Sequence, residues 1–519
     1  MNRDEQVGRV RDRRRPWDML IVGGGATGVG VAVDAASRGY DVVLLEQSDF
    51  GKGTSSRSTK LVHGGVRYLE QGNISLVMDA LKERGILRDN APHLVRDLAF
   101  IVPNYEWWEA PFYGIGLRLY DLLAGKYGFG SSGNLSREET LERIPTLKTD
   151  GLRGGVVYFD GQFDDARLLI NLVRTAFEQG ATLINYCRVA AFLRGGDQFL
   201  NGVVALDEES GAELEIRARV VINAAGPFSD QVRRLDKPEC DPLIAPSQGI
   251  HLVFDRSFLP GGHAIMVPHT SDGRVMFAIP WHDHTLAGTT DTPLDEAPLE
   301  PLPREEEIEF ILETSGRYLH HAPGRADILS AFAGIRPLVK ASEGANTSAL
   351  SRDHTIHIDR SGLLTIVGGK WTTYRKMAED CVNHAATLGA LEERPCVTRH
   401  LKIHGYHQDS GKFGDLQVYG TDAVAIQDLM RSRPELGERL HNRLPYRAAE
   451  VVWAVRSEMA RTLEDMLARR TRALQLDARA AAEMAPRVAA LMAAELCWDE
   501  QRTAAEATDF IRLAPRYLA

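Results

Sequence analysis

Gly23, Gly25 and Gly28 stand in a GxGxxG run directly after the apolar stretch MLIV, and Glu46 closes a second apolar stretch 18 residues beyond the last glycine. Each position has a mechanical reading. The glycines allow a tight turn, a close approach of backbone to a pyrophosphate and close packing of a helix on a strand, while the carboxylate reaches ribose hydroxyls. Residues 18–46 read as strand, glycine turn, helix and strand, which is the context a dinucleotide site needs. Residues 51–70, GKGTSSRSTKLVHGGVRYLE, follow: glycines, small hydroxyl side chains and the basic residues Lys52, Arg57, Lys60, His63 and Arg67, with Glu70 the only acid. Anionic and carbonyl oxygens taken out of water must receive hydrogen bonds, and a donor-rich loop supplies them.

Two more glycine-bearing strand ends occur downstream. VINAAGPFSD, residues 221–230, brings backbone N–H groups and small side chains to a sheet edge. VGGKWTTYRK, residues 367–376, ends a strand on two glycines and opens a helix, whose N-terminus suits an oxygen that gains negative charge. Three such elements in this order fit a flavin dinucleotide held along its whole length.

Positioning these residues takes more than one domain. The 519 residues are 44% hydrophobic and 25% charged, enough for a large core divided into two or three domains. The β-branched runs at 220–226 and 363–369 read as strands returning to the first sheet. Between residues 242 and 293 the runs GIHLVFD, HAIMVP, RVMFAIP and TLAGTTD read as a second, largely antiparallel sheet covering a substrate. From residue 445 onward Ala, Arg, Glu, Leu and Met dominate. Val451, Val455, Met459, Leu463, Met466 and Leu467 keep helical spacing, and alanine-rich helices are expected over about 478–494.

Charge and cysteine usage narrow the function. A formal net charge of -10 argues against general nucleic-acid binding, which needs a basic surface. Cys187, Cys240, Cys381, Cys396 and Cys497 are scattered without metal-ligand spacing, so neither a metal site nor a disulfide framework is expected. The arginine-rich stretch 3–17 lacks the apolar core of a secretory signal and reads as a solvated basic tail or a contact with anionic lipid. No apolar run reaches the length of a membrane-spanning helix. Residues 106–129, EWWEAPFYGIGLRLYDLLAGKYGF, place Trp107, Trp108, Phe112, Tyr113, Tyr120 and Tyr127 among aliphatic residues, and can lie in a bilayer interface or against the protein's own core.

HGGVRYLE (63–70), FDDARL (163–168), NAAGPF (223–228), GTTD (288–291), GIRPL (334–338) and GGKWTTYRK (368–376), with SEMARTLEDMLARRTRA (457–473), resemble the FAD-dependent glycerol-3-phosphate dehydrogenases over essentially the whole chain. One departure is Trp371, where a smaller residue is the more usual occupant. The resemblance implies an α/β + α chain: a Rossmann-like, amino-acid-oxidase-like FAD-binding domain, an antiparallel-sheet substrate domain and a helical C-terminal domain. The implied divisions are a basic tail over 1–16, an oxidoreductase region over 17–390 with the substrate domain mainly about 75–155 and 242–335, and a helical domain over 391–519.

The same resemblance implies oxidation of sn-glycerol 3-phosphate to dihydroxyacetone phosphate. Arg67, Tyr68, Arg336, Arg352 and Lys370 become the substrate-binding set, in keeping with arginine's bidentate grip on a phosphate dianion. His251 becomes the base near C2, with His63 as the second candidate and Arg336 as a substitute that stabilises the forming alkoxide, while Lys370 stands beside the reacting oxygen. Thr54, Ser55, Ser56, Lys60 and His63 are assigned to pyrophosphate and flavin, Val189 to adenine, Gly369, Lys370 and Thr372 to the isoalloxazine end, and Gly226 to the cofactor as a whole. FAD is expected to be held without a covalent bond. Electrons would pass to a membrane quinone rather than to oxygen, from a homodimer peripheral on the inner face of the cytoplasmic membrane. An amino-acid oxidase would share the fold, yet Arg67, Arg336, Arg352 and Lys370 carry more positive charge than one carboxylate requires. A non-catalytic flavin module would need no phosphate clamp.

Overall fold

The run Trp17–Val22 is buried along almost its whole length with no polar alternation, the pattern of a strand covered on both faces, and it lies at the centre of a parallel sheet. The computed structural model describes residues 1–65, 69, 73–268, 270, 273–340 and 354–519. In the first sheet Trp17–Val22 pairs in parallel with Val42–Leu45 on one side and Glu213–Asn223 on the other. Thr182–Ile184 extends one side and Leu364–Gly368 the other, and His354–Ile358 closes the latter edge antiparallel. Both runs expected to return to this sheet do so. Helices Ala26–Ser37, Asp165–Glu178 and Tyr374–Leu388 cover one face. The hairpin Cys187–Arg194 and Leu200–Asp207 covers the other.

The basic N-terminal stretch departs from the solvated tail expected of it. Arg3–Asp12 is a helix capped by the Asn2 side chain, which accepts from the Asp4 and Glu5 amides. Val7 and Val10 pack with Trp17 against the hairpin, and the buried Arg3 donates to the Asn185 carbonyl and the Asp207 carboxylate. An arginine with a buried acidic partner is cheaper inside than alone, which turns part of a charge run into an interface.

The second sheet is antiparallel apart from one pair, His263–Val267 with Val95–Asn104. Its order runs Ile244–Asp255, His284–Gly288, Met276–Trp281, His263–Val267, Val95–Asn104 and Gly154–Phe163, with Ser330–Val339 along the other side of Ile244–Asp255. Helix Glu109–Ala124 lies outside this sheet and splits the aromatic segment by face. Tyr113, Leu117 and Tyr120 are buried, whereas Phe112, Ile115, Leu119 and Leu122 are exposed, Ile115 by 73% and Leu122 by 77%, as is Trp107 before it by 74%. Among the described residues no helix is long and apolar enough to cross a membrane.

Beyond residue 391 the chain forms a helical cap, including Ala448–Glu458, Ala478–Leu496 and Glu500–Leu513. The helical spacing read across 451–467 does not make one helix. The first helix ends with Met459 in the left-handed conformation at φ 54°, and the Asp465 carboxylate accepts from the Arg461 and Thr462 amides to start the next turn. An aspartate that caps backbone donors competes with helix continuation, and hydrophobic spacing alone does not register it.

Candidate active site

The two sheets and the glycine turns enclose a cavity of about 610 Å³. At one end is the turn after Trp17–Val22. Gly23 has φ +112°, and a Cβ there would stand 2.6 Å from the Ala224 carbonyl oxygen; a Cβ on Gly28 would overlap the Gly23 carbonyl. Only glycine allows the strand, turn and helix Ala26–Ser37 to close up so tightly. Gly23, Gly25, Glu46 and Val189 line this end, while Gly28 serves the packing behind it. The Glu46 carboxylate accepts from the Gly24 amide at 2.6 Å and the Ser48 amide at 2.8 Å. Burial raises its pKa, and these two bonds oppose the rise.

Along the middle, Thr54, Ser55, His63, Gly226, Gly369, Lys370 and Thr372 also line the cavity. Trp371 fits beside Lys370 because its indole N–H donates to the Ser55 carbonyl at 2.9 Å and its ring meets Phe163 and Tyr374 edge to face. Two expected cofactor contacts are corrected. Ser56 and Lys60 lie behind the cavity wall. The Lys60 amine is fully buried and donates to Asp165 at 2.7 Å and the Ser56 carbonyl at 2.9 Å. A lysine among small hydroxyl residues reads equally well as a phosphate ligand or as half of a buried ion pair, and here it is the latter.

At the far end His251 and Arg336 come together on neighbouring strands. Arg336 donates to Asp291 at 3.2 Å and to the Thr289 hydroxyl at 3.1 Å. Asp291 also holds Ser247 and lies 3.7 Å from Arg274, a cavity residue that no sequence motif announced. A Cβ on Gly249 would come within 2.5 Å of the Arg336 guanidinium, so the glycine clears its path. The His251 ring stacks on Phe332 with centroids 5.1 Å apart, and its Nε2 shares a hydrogen bond of 2.9 Å with the Thr59 hydroxyl. Burial, then Lys60 and Arg336, press its pKa well below the ordinary histidine value. Thr59, Asp291 and Thr289 complete this end; Thr59 was hidden because its partner lies 192 residues away. Arg67, Tyr68 and Arg352 lie outside the described residues.

These residues fit FAD. Glycine backbone and a helix N-terminus flank one end for the phosphates, a carboxylate and an apolar strand flank the adenosine, and a cavity lined by strand ends continues to the reacting groups. Fold and site define an FAD-dependent oxidoreductase, and residues 18–375 match the family described as FAD-dependent oxidoreductase. Residues 364–503 match the C-terminal domain of alpha-glycerophosphate oxidase. The chain is 42% identical to the mitochondrial glycerol-3-phosphate dehydrogenase of Macaca fascicularis over 94% of its own length and 71% of that relative's, and 41% identical to the Rattus norvegicus counterpart over 97% and 73%. A glycerol-3-phosphate dehydrogenase from Bacillus halodurans, complexed with FAD, superposes with a TM-score of 0.81 at 30% identity over 100% of this chain and 98% of that one. The chain belongs to the FAD-dependent glycerol-3-phosphate dehydrogenase family.

Proposed function

We propose that this cavity oxidises sn-glycerol 3-phosphate to dihydroxyacetone phosphate and that the electrons leave for a membrane quinone. The observation that carries the reading is the meeting of Arg336, held by Asp291 and Thr289, with the neutral His251 at one end of a cavity that fits FAD. Bound FAD, held without a covalent bond, supplies the two-electron acceptor that takes hydride from C2. The guanidinium is oriented before substrate arrives, and arginine binds phosphate through paired N–H donors. His251 is uncharged at neutral pH and can take the C2 hydroxyl proton as the ketone forms. Part of what depresses its basicity is the positive field of Lys60 and Arg336. A phosphate dianion seated against Arg336 cancels some of that field, so His251 becomes a stronger base when substrate is in place. Lys370, on the cavity wall, supplies a compact positive charge for the oxygen that becomes the carbonyl.

The exposed face of Glu109–Ala124 supports the membrane half of the reading. Phe112, Ile115, Leu119 and Leu122 share one face, and Trp107 and Trp108 precede it, the composition of a helix lying in a bilayer interface. Such a face holds the protein peripherally where quinone dissolves. A homodimer is proposed with it, and sedimentation of the detergent-free holoenzyme as a monomer would remove that part. The deciding experiment is anaerobic: the yellow protein mixed with sn-glycerol 3-phosphate bleaches and recovers colour on adding a soluble quinone. Absence of bleaching sinks the substrate, and fast recovery in air with peroxide replaces quinone by oxygen.

A further inference from the structure

The Ser56 carbonyl receives three donors: the Lys60 amine at 2.9 Å, the Arg472 guanidinium at 2.8 Å and the Gln475 amide at 3.2 Å. Two of the three come from the C-terminal cap, more than 400 residues along the chain. Asp165 fastens the same segment. Its Oδ2 accepts from the Ser58 amide at 3.0 Å, the Ser58 hydroxyl at 2.7 Å and Lys60 at 2.7 Å, and its Oδ1 accepts from Arg472 at 3.1 Å. Arg472, Gln475, Lys60 and Asp165 are all at most 1% exposed, so the arrangement is dry and rigid. Within the segment Lys60 has φ +64°, a left-handed conformation that a non-glycine residue keeps only when its surroundings enforce it.

The upper side of this segment faces the cavity. Ser58 and Thr59 line it, and the Thr59 hydroxyl holds His251 Nε2 at 2.9 Å. We propose that Arg472 and Gln475 of the cap are positioning residues for the oxidation, fixing the Thr59 hydroxyl against His251 by clamping the Ser56 carbonyl from behind. The cap is then part of the reaction machinery. Lost clamp bonds let the segment shift, and a misplacement of about 1 Å at a reacting group lowers rates by about 100-fold. The inference rests on the reading of this cavity as the place where substrate is oxidised.

The test mixes holoenzyme variants with sn-glycerol 3-phosphate under anaerobic conditions and records the limiting rate of flavin bleaching per bound flavin. In Gln475→Leu and Arg472→Lys that rate falls about tenfold or more. The half-saturating substrate concentration and the FAD content per chain stay within about twofold. Thr59→Val falls similarly, and Gln475→Leu combined with Thr59→Val is no slower than Thr59→Val alone, because both act through one contact. Gln475→Leu removes no charge and carries the test if Arg472→Lys fails to fold. A limiting rate within about twofold of wild type in Gln475→Leu, or losses that multiply in the double variant, overturn the proposal. Should wild type itself not bleach, that sinks the substrate reading alone. The visible circular dichroism of the bound flavin then decides: a common change in Gln475→Leu and Thr59→Val supports the clamp, and a wild-type spectrum in Gln475→Leu overturns it.

Discussion

A guanidinium is useful to a phosphate only if its donors already point the right way. Asp291 and Thr289 fix two faces of Arg336, and Gly249 leaves room for it to pass. Lysine at this position keeps the charge and loses the fork, so Arg336→Lys should lower kcat/KM by about 100-fold, two charge-assisted hydrogen bonds at about 1.5 kcal/mol each. Steady-state kinetics check it, and an unchanged kcat/KM removes Arg336 from the substrate clamp. His251 makes a pH prediction. Burial, then Lys60 behind Phe332 and Arg336 on the neighbouring strand, press on it, and its pKa lies well below 6.5. A base works when deprotonated, so kcat/KM, corrected for the second ionisation of the substrate phosphate at about pH 6, holds steady as pH drops through 6.5 and declines only in the more acidic range. His251→Asn should lose that acid limb along with most of the rate. A limb that survives in the variant belongs to another group.

At the scale of elements, the helix Glu109–Ala124 carries a separable task. Phe112, Ile115 and Leu122 are exposed and do not line the cavity, so replacing all three with serine should abolish co-sedimentation with lipid vesicles while flavin reduction by substrate keeps its rate. Retained vesicle binding would assign the face elsewhere. How far sequence reached also differs by element. The turn at Gly23 and Gly28 was legible because backbone geometry leaves no other residue type, and strands such as Trp17–Val22 were legible because burial on both faces excludes polar side chains. The segment 56–60 was misread for a physical reason. What decides whether Lys60 meets a ligand or a carboxylate is Asp165, 105 residues away, and Arg472, farther still, and local pattern holds no trace of either. Arg274 lacked any signal, and Met459 broke a well-spaced helix through a cap that periodicity ignores.

The whole molecule is joined by buried charge. Asp49 of the FAD-binding domain accepts from Arg469 at 2.5 Å and Arg470 at 2.7 Å of the cap, and Glu464 pairs with Lys52 and Arg469. Asp49→Asn leaves Arg469 with Glu464 and Asp465 but Arg470 with the Glu458 carboxylate at 3.9 Å, and this broken buried pair should cost about 3–5 kcal/mol of stability, read as a fall in thermal midpoint. Burial alone would raise the Glu464 pKa, but Arg469 and Lys52 lower it from 4.5 to about 2. Its contribution is therefore complete above pH 4.5 and is lost as pH falls through 2. Glu464→Gln should flatten this part of the acid stability profile, and an unchanged profile would place the sensitivity at another pair.

The strand order of the first sheet also bears on how the protein is made. Leu364–Gly368 pairs beside Glu213–Asn223, which pairs beside Trp17–Val22, so the sheet joins residues separated by about two thirds of the chain. Contacts between such distant segments form late, because the intervening loops must close first. During synthesis the GxGxxG turn leaves the ribosome early, yet its partner wall at Gly369 and Thr372 emerges some 340 residues later. The wall around the cofactor is therefore complete only after Thr372 has emerged, and chains that stop short of residue 364 should accumulate as colourless, protease-sensitive intermediates.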